Sequence, residues 1–195
     1  MLTVFGAGLQ ARTQVEAIRT VRPIREIRLV SRSRISAEVM AEELRDVAVR
    51  VMDDPGDAVR GAEVIVTATD SREPVFPNRA TDPGVHVNAV GAFTPTMREV
   101  DGDFVARAKV VVDDRATVMS EAGDLVQAIG EGVFSFDDIH AELGELVTGA
   151  APGREGVGEV TLFKSVGSAA QDVVVAGRVV EEAERTNMGT VIELA

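Results

Sequence analysis

A short apolar run, Leu2-Thr3-Val4-Phe5, breaks off into Gly6-Ala7-Gly8-Leu9-Gln10-Ala11. A helical pattern follows at once, with Val15, Ile18 and Val21 on one face and Arg12, Gln14, Glu16, Arg19 and Arg22 on the others. Strand, glycine turn, helix is the context in which G-x-G-x-x-G/A spacing receives the pyrophosphate of a dinucleotide. Gly6 permits the sharp exit from the strand, and Gly8 lets the backbone approach a phosphate. Ala11 keeps the helix close to the sheet. The unpaired amides at the helix start, together with the positive end of the helix dipole, then face the anion. Glycines also punctuate ordinary turns, so the plain alternative is a strand-to-helix turn without a ligand. The strand that follows on schedule favours the nucleotide.

That second strand is Glu26-Ile27-Arg28-Leu29-Val30, placed after Pro23 closes the first helix. It ends in Ser31-Arg32-Ser33, where a residue that reads the adenosine ribose is expected. An NAD-type protein carries Asp or Glu there to hold the 2′-hydroxyl. Here an arginine stands between two hydroxyls, a set that attracts a 2′-phosphate instead. NADP(H) is therefore the expected cofactor and NAD(H) the alternative; a solvated surface turn would give the same residues.

Further strands are predicted over 47–51, 63–69, 85–91, 109–113 and 160–164, with helices between several of them. Ser36 is expected to cap the second helix, with Met40, Ala41 and Leu44 inward, and Asp57 to cap a one-turn helix that ends at Gly61. The spacing predicts helices over 121–129 and 137–143, a glycine-rich loop over 149–158, and a closing helix over 169–185. That helix carries Ala170, Val173, Val174, Gly177 and Val180 along one face. Strands alternating with crossovers imply an α/β fold of the Rossmann type: a doubly wound, mainly parallel sheet with helices on both faces and an extra C-terminal strand and helix. Ligands of such sheets bind outside the carboxyl ends of the strands. The groups expected there are Ser31-Arg32, Thr67-Ala68-Thr69, Val90-Gly91-Ala92-Phe93 and, if the last strand joins the sheet, Ser165-Val166-Gly167.

Composition removes several chemistries. There is no cysteine, hence no disulfide, thiolate nucleophile or thiolate metal site, and no tyrosine, hence no Tyr-x-x-x-Lys proton donor. The formal net charge of -12 argues against nucleic acid and anionic membrane as partners. No apolar run reaches the ~18 residues of a membrane helix. With a strand expected at the start, no signal peptide is predicted, and a cytoplasmic location is expected. His86 and His140 read as structural, and no metal site is expected. The pairs Asp53-Asp54, Asp113-Asp114 and Asp137-Asp138 read as turn and cap residues.

Six segments, in order, resemble the ornithine cyclodeaminase/mu-crystallin family: Gly6-Ala7-Gly8-Leu9-Gln10-Ala11-Arg12, Val66-Thr67-Ala68-Thr69, Pro83 to Gly91, Arg98-Glu99-Val100-Asp101, Glu142-Leu143-Gly144-Glu145-Leu146 and Leu162-Phe163-Lys164-Ser165-Val166-Gly167. The family includes cyclodeaminases, ketimine reductases and amino-acid dehydrogenases of the alanine and opine type. The resemblance implies that Gly8, Leu9 and Gln10 cradle the pyrophosphate and that Ser31, Arg32 and Ser33 occupy the 2′-phosphate position. Thr67, Ala68, Thr69, Val90 and Ser165 would border the ribose and nicotinamide, with Val166 nearest the substrate.

Two departures shape the expectation. Cyclodeaminases carry an aspartate two residues before the proline of a Gly-x-x-x-Pro segment; here Phe93 holds that place in Gly91-Ala92-Phe93-Thr94-Pro95. Ornithine cyclisation is therefore disfavoured, while ketimine reduction survives, and no catalytic residue is assigned within the chain. Family members also carry a substrate-binding, dimer-forming domain ahead of the glycine turn. Residues 1–195 then read as the dinucleotide-binding domain alone, with 168–195 a helix and tail that pack on the other domain. The implied activity is hydride transfer between NADP(H) and an imine or ketimine derived from an amino acid, or the reverse dehydrogenation; the alternative is an inactive binding module. The implied partners are a small amino-acid or imine substrate and a second copy or separate substrate domain.

Overall fold

The computed structural model describes residues 1–192. Its strands are β1 (Leu2–Phe5), β2 (Glu26–Val30), β3 (Ala48–Val51), β4 (Val64–Thr67), β5 (His86–Ala89), β6 (Lys109–Val112), β7 (Ala141–Glu142) and β8 (Thr161–Lys164). The helices are α1 (Leu9–Val21), α2 (Arg34–Glu43), α3 (Pro55–Val59), α4 (Gly102–Arg107), α5 (Arg115–Glu121), α6 (Gly123–Gly130), α7 (Leu143–Thr148) and α8 (Ala169–Thr186). All strands are parallel, in the order β3-β2-β1-β4-β5-β8-β6-β7. The expected α/β class is what the chain adopts, and its last strand lies inside the sheet, between β5 and β6. The order reverses direction between β1 and β4, which opens a crevice at their carboxyl ends.

Alternation along each strand feeds two cores. Leu2, Val4, Ile27, Leu29 and Val66 face α1 and α2, where Ala11, Val15, Ile18, Ala37 and Met40 close the layer. Phe5, Ile65, Val87, Ala89, Val110, Val112 and Leu162 face the other way, onto Phe76, Phe104, Val118 and Leu125. The rings of Phe5, Phe76 and Phe104 pack in series with centroids 5.6 Å apart at each step, the first pair tilted by 31° and the second edge-on at 87°. Val21, expected with Val15 and Ile18, is exposed at the last residue of α1, and Ala11, Val15 and Ile18 form the buried face.

Several local expectations change. Ser33, not Ser36, caps α2: its Oγ accepts from the Ser36 amide at 3.2 Å. Asp54, not Asp57, caps α3, accepting from the Asp57 amide at 2.7 Å. The helix predicted over 121–129 is α6, which starts two residues later, and a separate helix that was not predicted, α5, precedes it. They break at Ala122 because Gly123 packs against backbone: a Cβ there would lie 2.0 Å from the Met97 carbonyl oxygen. The helix predicted over 137–143 is a 3-10 turn (Phe136–Asp138) followed by β7. A capping box between Ser135 and Asp138 closes the turn, and the His140 amide bonds Val110 at 2.9 Å, which draws the chain onto the sheet edge. In α8 no residue is buried; Val173 is 71% and Val180 56% exposed. The final three residues of the expected 168–195 segment lie outside the described residues. Among the described residues, no helix is long and apolar enough to cross a membrane.

Candidate functional site

The parallel register brings the strand tips into one line. Beyond the last paired residues, backbone bonds run sideways from tip to tip: Gly6 N to Val30 O, Ala68 N to Phe5 O, Val90 N to Thr67 O (each 2.9 Å) and Ser165 N to Ala89 O (3.1 Å). The tips of β2, β1, β4, β5 and β8 are thus one continuous rim. All four expected segments meet there.

At the centre of the rim Gly6 turns the chain with φ at +105°, and a Cβ on it would sit 2.4 Å from the Ala68 carbonyl oxygen. Gly8 occupies the N-cap of α1 and is different in kind: a Cβ on it would meet no atom within 4 Å. The space above Gly8 is open, no side chain caps the helix, and its first turn holds no acidic residue. The amides of that turn lack intrahelical acceptors, and the dipole's positive end is uncompensated. Leu9 and Gln10 are exposed beside it, and Ala11 is buried against the sheet. Donors, room and sign all fit a pyrophosphate.

Toward β2, Arg32 stands 84% exposed, with its guanidinium 2.5 Å from Asp70 beyond β4. The arginine holds the Asp70 carboxyl below its ordinary range. Ser31 accepts from the Ser33 amide at 3.3 Å, and Ser33 has its oxygen committed to the α2 cap. Arg32, Asp70, Arg72, Phe93 and Thr94 line a cavity of about 630 Å³ that runs from the β2 tip past β4 to the segment after β5. Phe93 is 54% exposed on it.

Three expected residues turn donors inward instead, Thr69 giving its amide and hydroxyl to Glu99 at 2.6 and 2.7 Å. Thr67 is fully buried and donates its hydroxyl to Glu99 at 2.9 Å; the Gly91 amide donates to the same carboxylate at 2.8 Å. Ala68, Thr69 and Val90 remain partly exposed between them. Farther along, Ser165 donates its hydroxyl to Asp113 at 2.8 Å. The same Asp113 oxygen accepts the amides of Val166 at 3.0 Å and Gly167 at 2.8 Å. Ser165 therefore faces the rim as a hydrogen-bond acceptor, and Val166 is held at the rim by its own backbone.

Sequence reasoning passed over four of these groups. Glu99, Asp124 and Lys164 are each fully buried, and Asp113 ties down a loop where only a turn or cap was expected. Its neighbour Asp114 does cap α5, accepting from the Thr117 amide at 2.7 Å. Asp124 accepts the amides of Glu99 and Val100 at 2.7 and 2.9 Å. Its other oxygen stands 2.9 Å from Lys164 Nζ as an ion pair, although neither atom finds an aligned hydrogen bond there. Charge rather than direction holds that contact. Burial, and after it the Asp124 carboxylate, push Glu99 above its ordinary range, while the Thr69 donors and Lys164 act the other way. The available signals were the family-like segments Arg98 to Asp101 and Leu162 to Gly167, which hold Glu99 and Lys164 but gave neither a role.

His86 bridges Thr161 (2.7 Å) and Asn88 (2.8 Å), and His140 bonds the Pro152 carbonyl oxygen at 2.8 Å. Among the described residues, no three His, Asp or Glu side chains gather as metal ligands would.

Comparison with known proteins follows the same line. The ornithine cyclodeaminase/mu-crystallin family model matches residues 1–187. A Delta(1)-pyrroline-2-carboxylate reductase of Bacillus cereus is 41% identical over 98% of this chain and 60% of its own length. The solved Delta(1)-pyrroline-2-carboxylate reductase of Thermococcus litoralis, in complex with NADH and L-proline, superposes with a TM-score of 0.95 at 36% identity, again over 98% of this chain and 60% of that one. An archaeal alanine dehydrogenase dimer with bound NAD gives a TM-score of 0.92 at 34% identity, over all of this chain and 61% of that one. The chain spans about three fifths of the length of these relatives.

Proposed function

The chain belongs to the ornithine cyclodeaminase/mu-crystallin family, and from that premise we propose that it is the NADP(H)-binding part of an imine or ketimine reductase acting on an amino-acid-derived substrate. The observation that carries the reading is the uncapped start of α1 with open space over Gly8, set at the point where the strand order reverses. Its support from relatives is that reductases of a cyclic imino acid are among them.

When bound, the cofactor supplies a hydride from C4 of its nicotinamide to the imine carbon. The chain's own residues do the placing. Amides at Gly8, Leu9 and Gln10 hold the pyrophosphate, and Arg32 with Ser31 and Ser33 takes the 2′-phosphate. Ala68, Thr69 and Val90 border the ribose and nicotinamide. Ser165 accepts from the carboxamide, since its own proton is committed to Asp113. Phe93 and Val166 present apolar surface beside the reacting carbon, which keeps water from the hydride path. Phe93 cannot accept a proton, so ring closure with loss of ammonia lacks its base at that position.

The groups that hold the substrate's carboxylate come from a domain outside these residues, and α8, with its exposed valines, packs on it. The working unit is a dimer, as in the archaeal relative. A cytoplasmic setting fits a reaction that draws on the cell's dinucleotide pool. A second reading, NAD(H) as cofactor, has its own observation: Asp70 already occupies Arg32 and would repel a 2′-phosphate.

Titration of the chain with NADPH and NADH decides. NADPH is expected to bind more tightly, and Arg32→Ala to remove most of the difference, about 1.5–3 kcal/mol for one charge-assisted contact. Asp70→Asn should tighten NADPH by freeing Arg32. Equal or tighter NADH would establish the second reading, and binding of neither would overturn the assignment.

A further inference from the structure

Glu99 lies under the rim with four donors on its carboxylate. Oε1 accepts the Thr69 amide at 2.6 Å and the Thr69 hydroxyl at 2.7 Å; Oε2 accepts the Thr67 hydroxyl at 2.9 Å and the Gly91 amide at 2.8 Å. One carboxylate thereby ties the tip of β4 to the tip of β5. The fit leaves no room for a side chain between them, because a Cβ on Gly91 would lie 2.4 Å from Glu99 Oε1 and 2.2 Å from the Thr69 carbonyl oxygen. Asp124 holds the Glu99 backbone from the other side and, through Lys164, reaches β8 one residue before Ser165.

We propose that Glu99 is a positioning residue for the nicotinamide half of the cofactor. With Asp124 and Lys164 it fixes the spacing of the β4, β5 and β8 tips against which that half is placed. The pyrophosphate and adenosine positions, at α1 and the β2 tip, share none of these contacts. The inference rests on the dinucleotide reading above and adds a division of labour within it.

An amide cannot replace this carboxylate. Each of its oxygens accepts one backbone N–H, so Gln at 99 turns its NH₂ group onto either Thr69 or Gly91 in both orientations. The test compares NADPH with 2′-phospho-ADP, the same molecule without the nicotinamide and its ribose, on the 195-residue chain. Glu99→Gln is expected to weaken NADPH about tenfold or more, by displacing the tips, and to leave 2′-phospho-ADP within about twofold. Thr67→Val keeps the shape and removes one buried donor that no ligand can reach; about a threefold loss on NADPH alone is expected. This variant decides if Glu99→Gln gives no cooperative thermal transition. Equal loss on both ligands, or no loss on NADPH, would overturn the positioning role while leaving the cofactor site standing. If the unaltered chain binds neither ligand, the dinucleotide reading fails and the inference falls with it.

Discussion

Gly6 and Gly8 are both glycines, yet the reasons differ, and substitution separates them. Alanine at position 6 meets the Ala68 carbonyl and a left-handed φ of +105°. It is expected to cost about 1–3 kcal/mol, a fall in melting temperature of roughly 2–12 °C for a chain of this size. Alanine at position 8 meets nothing. Its stability should stay within about 0.5 kcal/mol, while dinucleotide affinity falls because the methyl group fills the space meant for the pyrophosphate. Thermal melts and a binding titration on the two variants check this pair, and a Gly8→Ala chain with unchanged affinity would count against the site. His86 carries a separate expectation. Asn88 Oδ1 can only accept, so Nε2 must donate and Nδ1 must accept the Thr161 hydroxyl proton. Thr161 in turn accepts from Arg154 at 2.8 Å. Burial, chiefly, depresses the imidazole's pKa below 6.5, with Arg154 and Arg22 adding to it. A depressed folded value means that the stabilising contribution is full above 6.5 and is lost as pH falls through the folded value. Nitrogen-edited NMR should show the Nε2–H tautomer and a midpoint below 6.5; a midpoint at or above it would refute the network.

Among the elements, α8 is the one whose packing the rest of the fold leaves unexplained. Its valines are exposed, so Val173→Lys and Val180→Lys should shift the stability of this chain by no more than about 0.5 kcal/mol. The same changes should abolish association with the portion of the Bacillus cereus relative that lies outside the match, measured by sedimentation of the two together. Association as strong as before would remove α8 from that interface. The elements that sequence revealed are those with a local cause: the glycine turn sets β1 against α1, and apolar runs mark six of the other strands. Three of those runs, at β4, β5 and β6, end earlier in the structure because their final residues leave the ladder at the rim. What stayed hidden has a distant cause. β7 has two residues and is defined by its neighbour β6. The break between α5 and α6 answers to the Met97 carbonyl, far away in sequence. The buried charges follow the same rule: Glu99, Asp124 and Lys164 come from three separate segments, and periodicity reports faces rather than partners. The rim positions were legible because strand ends project to one edge in any parallel sheet. The inward turn of Thr67 and Gly91 was not, since it depends on where Glu99 arrives.

Taken as a whole, the molecule presents a long rim of donors and small residues, and beside it a cavity open to solvent with Phe93 on its wall. Hydride transfer to an imine needs a dry, closed approach, so these 195 residues alone are expected to bind the dinucleotide with little turnover, far below the ~10 per second of an ordinary enzyme. Fusion to the part of the Bacillus cereus relative outside the match should supply closure and the carboxylate-holding groups. What that chimera does then turns on position 93. Cyclodeamination must move protons on and off the substrate while one nitrogen replaces another, which calls for a carboxylate beside the reacting carbon. Phenylalanine offers none, and the buried acids nearby are committed: Glu99 to four donors, Asp124 to two amides and a lysine. Reduction asks only that the cofactor face be held and water excluded. The chimera is therefore expected to oxidise NADPH with a cyclic ketimine and to form no proline or ammonia from ornithine. Ornithine conversion by the Phe93 chimera would overturn the assignment. Phe93→Asp in the same background is the converse trial: it should lower ketimine reduction by admitting water and charge, and any cyclodeaminase activity gained would locate the missing base at this position.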